Sequence, residues 1–419
     1  MIAHPGVRFA DHTVTVPLDH RDPDGETIEV FAREVVAADR AGDELPWLVY
    51  LQGGPGGKSP RPLRAESWIG RAVRTHRVLL LDQRGTGRST PLTANTVGGR
   101  PAKELADYLK LFRADSIVAD AEVLRERVAG GAQWDTLGQS YGGFVTMAYL
   151  SAAPQGLRTC YVTGGLPGLT ATADEVYERT YPRVAAKNAE FYRDFPDDRA
   201  AVRRLADHLA SADVRLPDGD RLTPERLRLV GDSFGMSYGY SYVHWLLDEA
   251  WHGDQLSATF LYEVMAHTGY VDKPLYALQE YCYGQGNGPT GWAAARALDA
   301  RPEFAADADP LLFTGEMMFP WMFEQIAALR PFAGAADILA ETPDWSVLYD
   351  VSRLASNEVP VVAAVYADDM YVDAGLSLET AAAVGNVRTW VTNEHEHDGL
   401  RTSGDAVLGH LMEMASGLR

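Results

Sequence analysis

Trp134-Asp135-Thr136-Leu137-Gly138-Gln139-Ser140-Tyr141-Gly142-Gly143-Phe144-Val145-Thr146-Met147-Ala148-Tyr149-Leu150 runs from a short strand-like segment, through a glycine-flanked serine, into an apolar stretch with no breaker. The middle fits G-x-S-x-G, the pattern of a sharp strand–turn–helix elbow that displays a nucleophilic serine. A serine hydroxyl is a weak nucleophile, so it must be held on a tight turn within reach of a base. Gly138 and Gly142 remove side chains that would clash where the two arms of such a turn close. The helix that begins at the turn points backbone N–H groups toward any developing negative charge.

Outward from this stretch the chain alternates strands with helices. His12-Thr13-Val14-Thr15-Val16-Pro17 and Thr27-Ile28-Glu29-Val30-Phe31-Ala32 alternate in polarity on either side of a turn-rich segment, and predict an antiparallel pair. Pro46–Leu51 and Arg77–Leu81 read as buried strands running into Gln52-Gly53-Gly54-Pro55-Gly56-Gly57 and Asp82-Gln83-Arg84-Gly85. A helix is expected over about Ser116–Val128 and further strands over Thr159–Thr163, Pro360–Tyr366 and Val387–Thr392, with a last helix from about Gly404. This order implies a mostly parallel sheet flanked by helices, an α/β architecture. From about Leu169 to Leu348 the texture is helical and aromatic, clearest at Glu175–Phe195, Asp198–Ala212, Pro224–Val230 and Met322–Leu329. Such a block inserted into an α/β sheet makes a cap over the strand ends. The expected division is 1–168 and 349–419 for the sheet-bearing core and 169–348 for the cap.

The 419 residues carry 38 basic and 58 acidic side chains, a net charge of −20. That surface repels nucleic acid phosphates and anionic membranes, so neither partner is expected. Cys160 and Cys282 form no metal-spaced or disulfide pattern, and the first residues lack the basic and apolar regions of a signal peptide. The expectation is a soluble cytoplasmic protein. No G-K-[ST] follows the glycine loop, which sets phosphate binding aside.

A serine nucleophile needs a histidine base and a carboxylate to orient it. The loop after the 360–366 strand carries Asp368, Asp369 and Asp373, and the loop after the 387–392 strand carries His395 and His397. Serine, acid, histidine is the chain order of the α/β-hydrolase fold, with acid and base on loops after late strands. Asp369 and His397 are preferred, with Asp368, Asp373 and His395 as alternatives. The oxyanion hole would use the N–H of Tyr141 and one from the glycine loop, that of Gly54.

Taken together, Gly53-Gly54-Pro55-Gly56, Asp82-Gln83-Arg84-Gly85-x-Gly87-Arg88-Ser89, Phe112-Arg113-Ala114-Asp115-Ser116-Ile117-Val118 and Gly138-Gln139-Ser140-Tyr141-Gly142-Gly143 resemble the proline iminopeptidases. These are serine peptidases of the α/β-hydrolase fold that remove an N-terminal proline. The likeness continues through Thr163–Pro167 and into the cap at Pro274–Tyr283 and Phe313–Phe323. Two places depart from that family: Gln52 stands where a histidine often precedes the glycines, and Tyr366-Ala367-Asp368-Asp369 replaces the more usual Gly-Arg-Tyr-Asp. The resemblance implies a serine aminopeptidase without metal or organic cofactor, whose substrate is a peptide or amino-acid amide with a free N-terminus. It also implies cap carboxylates that receive the cationic amine, for which Glu280 and Glu316 are the candidates. Pairing with Arg296 or Arg330 is the alternative role for each. Trp321, Tyr281, Phe323 and Tyr283 are candidates to wall a pyrrolidine pocket, against plain core packing. Asp82 and Arg84 are expected to be internal partners, Cys160 core, and Cys282 a thiol near the site. An esterase or amidase acting on a small acyl substrate would use the same triad.

Overall fold

The computed structural model describes residues 2–418. Its main sheet has nine strands. In chain order the first seven are β1 (Ile2–His4), β2 (Val7–Pro17), β3 (Thr27–Ala37), β4 (Trp47–Leu51), β5 (Arg77–Leu81), β6 (Trp134–Gln139) and β7 (Leu157–Thr163). A two-stranded ribbon, β8 (Trp251–His252) with β9 (Gln255–Leu256), lies in the helical block, and β10 (Val361–Tyr366) and β11 (Val387–Thr392) return to the sheet. The spatial order is β1-β2-β3-β5-β4-β6-β7-β10-β11. The first four pair antiparallel, and from β5 to β11 every pair is parallel.

Composition explains the parallel part. Leu48, Val49, Leu51, Val78–Leu81, Leu137, Val162 and Val361–Tyr366 are all buried. Near-continuous apolar strands of this kind need cover on both faces. The helices Ala114–Val128 and Tyr141–Ala152 cover one face, while Ser67–Ala72 and Gly404–Ala415 pack together on the other. Asp82 and Arg84 are internal partners, as expected. Arg84 donates to Asp120 at 2.6 and 2.7 Å, and Asp82 accepts from the N–H groups of Ser59 and Arg88 at 3.1 and 2.9 Å.

β7 and β10 are neighbours in the sheet, yet the whole helical block lies between them in sequence. Its helices include Ala173–Asp194, Asp198–Ser211, Gly239–Asp248, Ala258–Thr268 and Ala333–Ala340. The expected helix over Met322–Leu329 is only Met322–Gln325, because Ile326 turns extended and buries its side chain. The expected Pro224–Val230 helix is α-helical to Arg228 and tightens to 3₁₀ geometry through Gly235. Arg113, fully buried, fastens this block to the sheet-bearing part. Its guanidinium lies over the Trp345 ring and donates to the Gly284 carbonyl and to Ser346 Oγ. Among the described residues no helix is long and apolar enough to cross a membrane.

Candidate active site

Four loops leave the carboxyl ends of parallel strands and converge. The first follows β4 and the second is the elbow after β6, its sheet neighbour, with Leu51 paired to Gly138. The other two follow β10 and β11.

Ser140 sits between β6 and the helix Tyr141–Ala152 at φ 54°, ψ −124°, a strained conformation for a residue with a Cβ. Its N–H donates to the Thr163 carbonyl at 3.0 Å, and its carbonyl accepts from Gly143 at 2.7 Å. The neighbouring glycines act as expected, with one difference. A Cβ on Gly138 would stand 2.4 Å from the Gly142 carbonyl oxygen, so the two arms of the turn do close there. A Cβ on Gly142 would stand 1.9 Å from the carbonyl oxygen of Leu51, so that glycine makes room for β4 rather than for its own turn. Tyr141 opens the helix, and its N–H is among those that helix geometry leaves without an intrahelical acceptor. Gly54, at φ 128°, lines the cavity in front of Ser140.

After β10, it is Asp369 that meets the histidine. Its Oδ1 accepts from the N–H groups of Tyr371 and Val372 at 2.8 and 3.1 Å, and its Oδ2 lies 2.6 Å from His397 Nδ1. Asp368 is exposed and pairs with Arg183 at 3.0 Å. Asp373 caps the next helix by accepting from the Leu376 N–H at 2.9 Å. His395 packs its ring edge-on against Tyr366 and Trp390. His397 is buried, and burial alone would lower its pKa. The Asp369 charge and hydrogen bond, joined by Glu316 and Asp398, outweigh that and raise it. With Nδ1–H given to Asp369, the free nitrogen of the ring is Nε2, which lies 3.4 Å from the Gln139 amide nitrogen.

Ser140, His397 and Gly54 share a cavity of about 400 Å³ whose far wall comes from the helical block. Asp232, Glu316, Tyr276 and Lys273 line that wall. Tyr276 donates its hydroxyl hydrogen to Glu316 at 2.8 Å and lies 3.4 Å from Asp232. Burial and then the nearby Asp232 charge push the Glu316 carboxyl up to about 8, against opposition from His397 and Tyr276. Asp232 is raised by burial as well, with Lys273 opposing. His267, on the same wall, is lowered to about 4 by burial and then by Lys273, so its imidazole is neutral at pH 7. The wall is thus a pair of half-buried carboxyl groups with a tyrosine hydroxyl between them.

Of the six substrate-binding candidates only Glu316 lines this cavity; Glu280, Tyr281, Tyr283, Trp321 and Phe323 do not. Glu280 is buried and accepts from the N–H groups of Ala293 and Ala294 at 3.0 and 2.9 Å, satisfying the start of the helix Ala293–Asp299. Its expected alternative partner, Arg296, donates instead to Asp174. Tyr281 donates to the Phe112 carbonyl at 3.3 Å and packs on Trp345, and Trp321 stacks on Phe319. The apolar or aromatic neighbours of these residues in sequence are equally compatible with core and with a pocket; here Glu280 and Tyr281 are buried, and Trp321 is half-buried and packs against the core. Arg330, the other alternative partner for either glutamate, pairs with Asp220. Cys282 lines a separate small cavity with Phe144 and Tyr283, and burial pushes its thiol up to about 12.

Asp232 and Tyr276 escaped the sequence reading. Asp232 lies in Val230-Gly231-Asp232-Ser233-Phe234-Gly235, an acid amid buried apolar and small residues, and that isolation is the one signal that marks it.

A serine elbow after one parallel strand, with acid and histidine after two later ones, defines an α/β-hydrolase. A family model described as the alpha/beta hydrolase fold matches residues 46–221. The chain is 48% identical over 412 residues to a proline iminopeptidase of Aeromonas sobria, covering 98% of this chain and 97% of that protein. It is 35% identical over 422 residues to a proline iminopeptidase of Aspergillus aculeatus, covering 97% and 93%. The chain belongs to the proline iminopeptidase family.

Proposed function

We propose that this protein is a serine aminopeptidase that releases an N-terminal residue, preferentially proline, from peptides. The observation that carries this reading is the carboxyl pair Asp232 and Glu316, set with Tyr276 in the same cavity as Ser140 and His397. Two carboxylates held close together and half out of water are costly unless something cationic meets them, and a free N-terminus is cationic. The related proteins named proline iminopeptidases support the same choice.

In this mechanism Ser140 attacks the carbonyl carbon of the N-terminal residue while His397 Nε2 takes its proton. Asp369 holds the imidazole by Nδ1 and stabilises its charge. The N–H groups of Gly54 and Tyr141 receive the oxyanion, a contribution of several kcal/mol in serine hydrolases. His397 then protonates the leaving amine, and water, deprotonated by the same nitrogen, hydrolyses the acyl-enzyme. Glu316, with Asp232, holds the substrate ammonium by charge-assisted hydrogen bonds. The block 169–348 serves as the cap and closes the cavity on the side beyond the N-terminus, which excludes chain there. Two buried free cysteines suit a reducing cytoplasm.

The test is hydrolysis of proline 4-nitroanilide beside its N-acetylated form and a short acyl ester, with wild type and Ser140→Ala. Cleavage of the free amide alone, lost in the variant, supports the aminopeptidase. Cleavage of the ester without the amide overturns the specificity and leaves an esterase.

A further inference from the structure

Arg401 is a cation without a partner beside the reacting groups of a strongly acidic chain. It lies on the short helix Gly399–Thr402 immediately after His397, where its N–H donates to the Asp398 carbonyl at 2.8 Å. Its guanidinium forms no hydrogen bond or ion pair with any described residue. The adjacent acid is already engaged, since Asp398 accepts from Ser237 N–H and Oγ at 3.2 and 3.0 Å.

Arg401 also stands where two cavities meet. One is the 400 Å³ cavity of Ser140. The other, of about 150 Å³, opens beside His397 and is lined by Tyr50, Pro60, Trp68 and Leu400, with Met236 of the helical block and the acid Asp398 also at its edge. Gln139 and His397 border both, while Asp232, Glu316 and Tyr276 border only the first. The stacked rings of Tyr50 and Trp68, 4.5 Å apart, give the smaller cavity an apolar floor. Nothing in the mechanism above uses it.

The proton path gives it a use. His397 must hand its proton to the leaving amine, so the leaving residue has to lie on the His397 side of Ser140. That is the side on which the smaller cavity opens. Its volume suits one side chain and a terminal group rather than a continuing polypeptide. A dipeptide is a zwitterion, and the site is polarised to match: carboxyl groups on the cap wall for the ammonium, and an exposed, permanently charged guanidinium beside His397 for the carboxylate.

We infer that Arg401 and the cavity walled by Tyr50, Pro60 and Trp68 form a leaving-residue subsite that binds the free carboxylate of a dipeptide with an apolar second residue. This rests on the aminopeptidase reading and goes beyond it by assigning the other half of the substrate.

The experiment compares kcat/KM for Pro-Leu, Pro-Leu-amide and proline 4-nitroanilide in wild type, Arg401→Gln, Arg401→Lys and Arg401→Glu. Each comparison is a ratio within one protein preparation, so loss of folded fraction does not disturb it. Wild type should prefer the free acid to its amide by about tenfold, the size of one charge-assisted hydrogen bond at a partly exposed site. The ratio should fall to about one in Arg401→Gln, drop below one in Arg401→Glu and be partly kept in Arg401→Lys. A wild-type ratio near one, or a preference that survives in Arg401→Gln, overturns the inference while leaving the aminopeptidase intact. Failure of wild type on all three substrates overturns the aminopeptidase reading itself.

Discussion

The Tyr276 hydroxyl donates to Glu316 across 2.8 Å and stands 3.4 Å from Asp232, so one hydroxyl proton serves two carboxyl groups. That hydrogen bond favours the charged carboxylates, but burial outweighs it and favours proton uptake in the empty site. Burial, followed by the Asp232 charge, lifts Glu316 from the ordinary 4.5 to about 8. The folded protein then holds a proton that the unfolded chain releases, and stability falls with pH wherever the native state binds more protons. The contribution is fully present below about pH 4.5 and is lost as pH rises through about 8. The thermal midpoint of wild type should decline more between pH 5 and 9 than that of Glu316→Gln. Parallel curves would contradict the shift.

The same substitution should alter selectivity. Glu316→Gln keeps the shape and removes the charge, so kcat/KM for proline 4-nitroanilide relative to a short acyl ester should fall by about 10- to 100-fold, the range for a hydrogen bond to a charged group. An unchanged ratio would remove Glu316 from the amine site.

Asp369→Asn should lower kcat by about 10³- to 10⁴-fold, because an amide in place of the carboxylate favours the wrong imidazole tautomer. Asp368→Asn, at an exposed ion pair with Arg183, should stay within about twofold of wild type. The reverse ranking, read from steady-state rates, would reassign the acid.

Glu280→Ala should act on stability. It leaves the buried N–H groups of Ala293 and Ala294 without acceptors, a loss of roughly 1–3 kcal/mol for each unsatisfied group. Chemical denaturation should record that loss while KM for proline 4-nitroanilide remains within about twofold. A large rise in KM without destabilisation would return Glu280 to substrate binding.

Cys282 should alkylate slowly in the native protein, since its thiol is buried and raised to about 12. Mass-spectrometric labelling should find it modified chiefly after denaturation. Rapid native labelling that tracks inactivation would show the thiol to be reachable.

How much was legible in the chain can be argued from particular residues. The elbow around Ser140, the buried strands of the parallel sheet and the order serine, acid, histidine all follow from local pattern, because a strand–glycine–helix junction and a run of buried β-branched residues are written in consecutive positions. The helical block was legible as a class and less so as elements. Ile326 ends one expected helix because it takes an extended conformation to reach the core, a tertiary demand that helical spacing does not carry.

The acidic wall of the cavity shows the other limit. Glu280 and Glu316 look alike in sequence, each an acid among apolar and aromatic neighbours. One ends against the N–H groups of a helix start and the other faces Ser140 across a cavity, and only the packing of the block separates them. Asp232 joins Glu316 through a shared tyrosine although the two stand 84 positions apart in the numbering. The sequence by itself determined the α/β frame, the serine elbow and the two loops that carry Asp369 and His397, since those depend on short-range periodicity and chain order. Which carboxyl groups meet, which stay protonated and which cation remains unpaired beside His397 were decided by the tertiary structure, because burial and electrostatic coupling depend on distances that only folding creates.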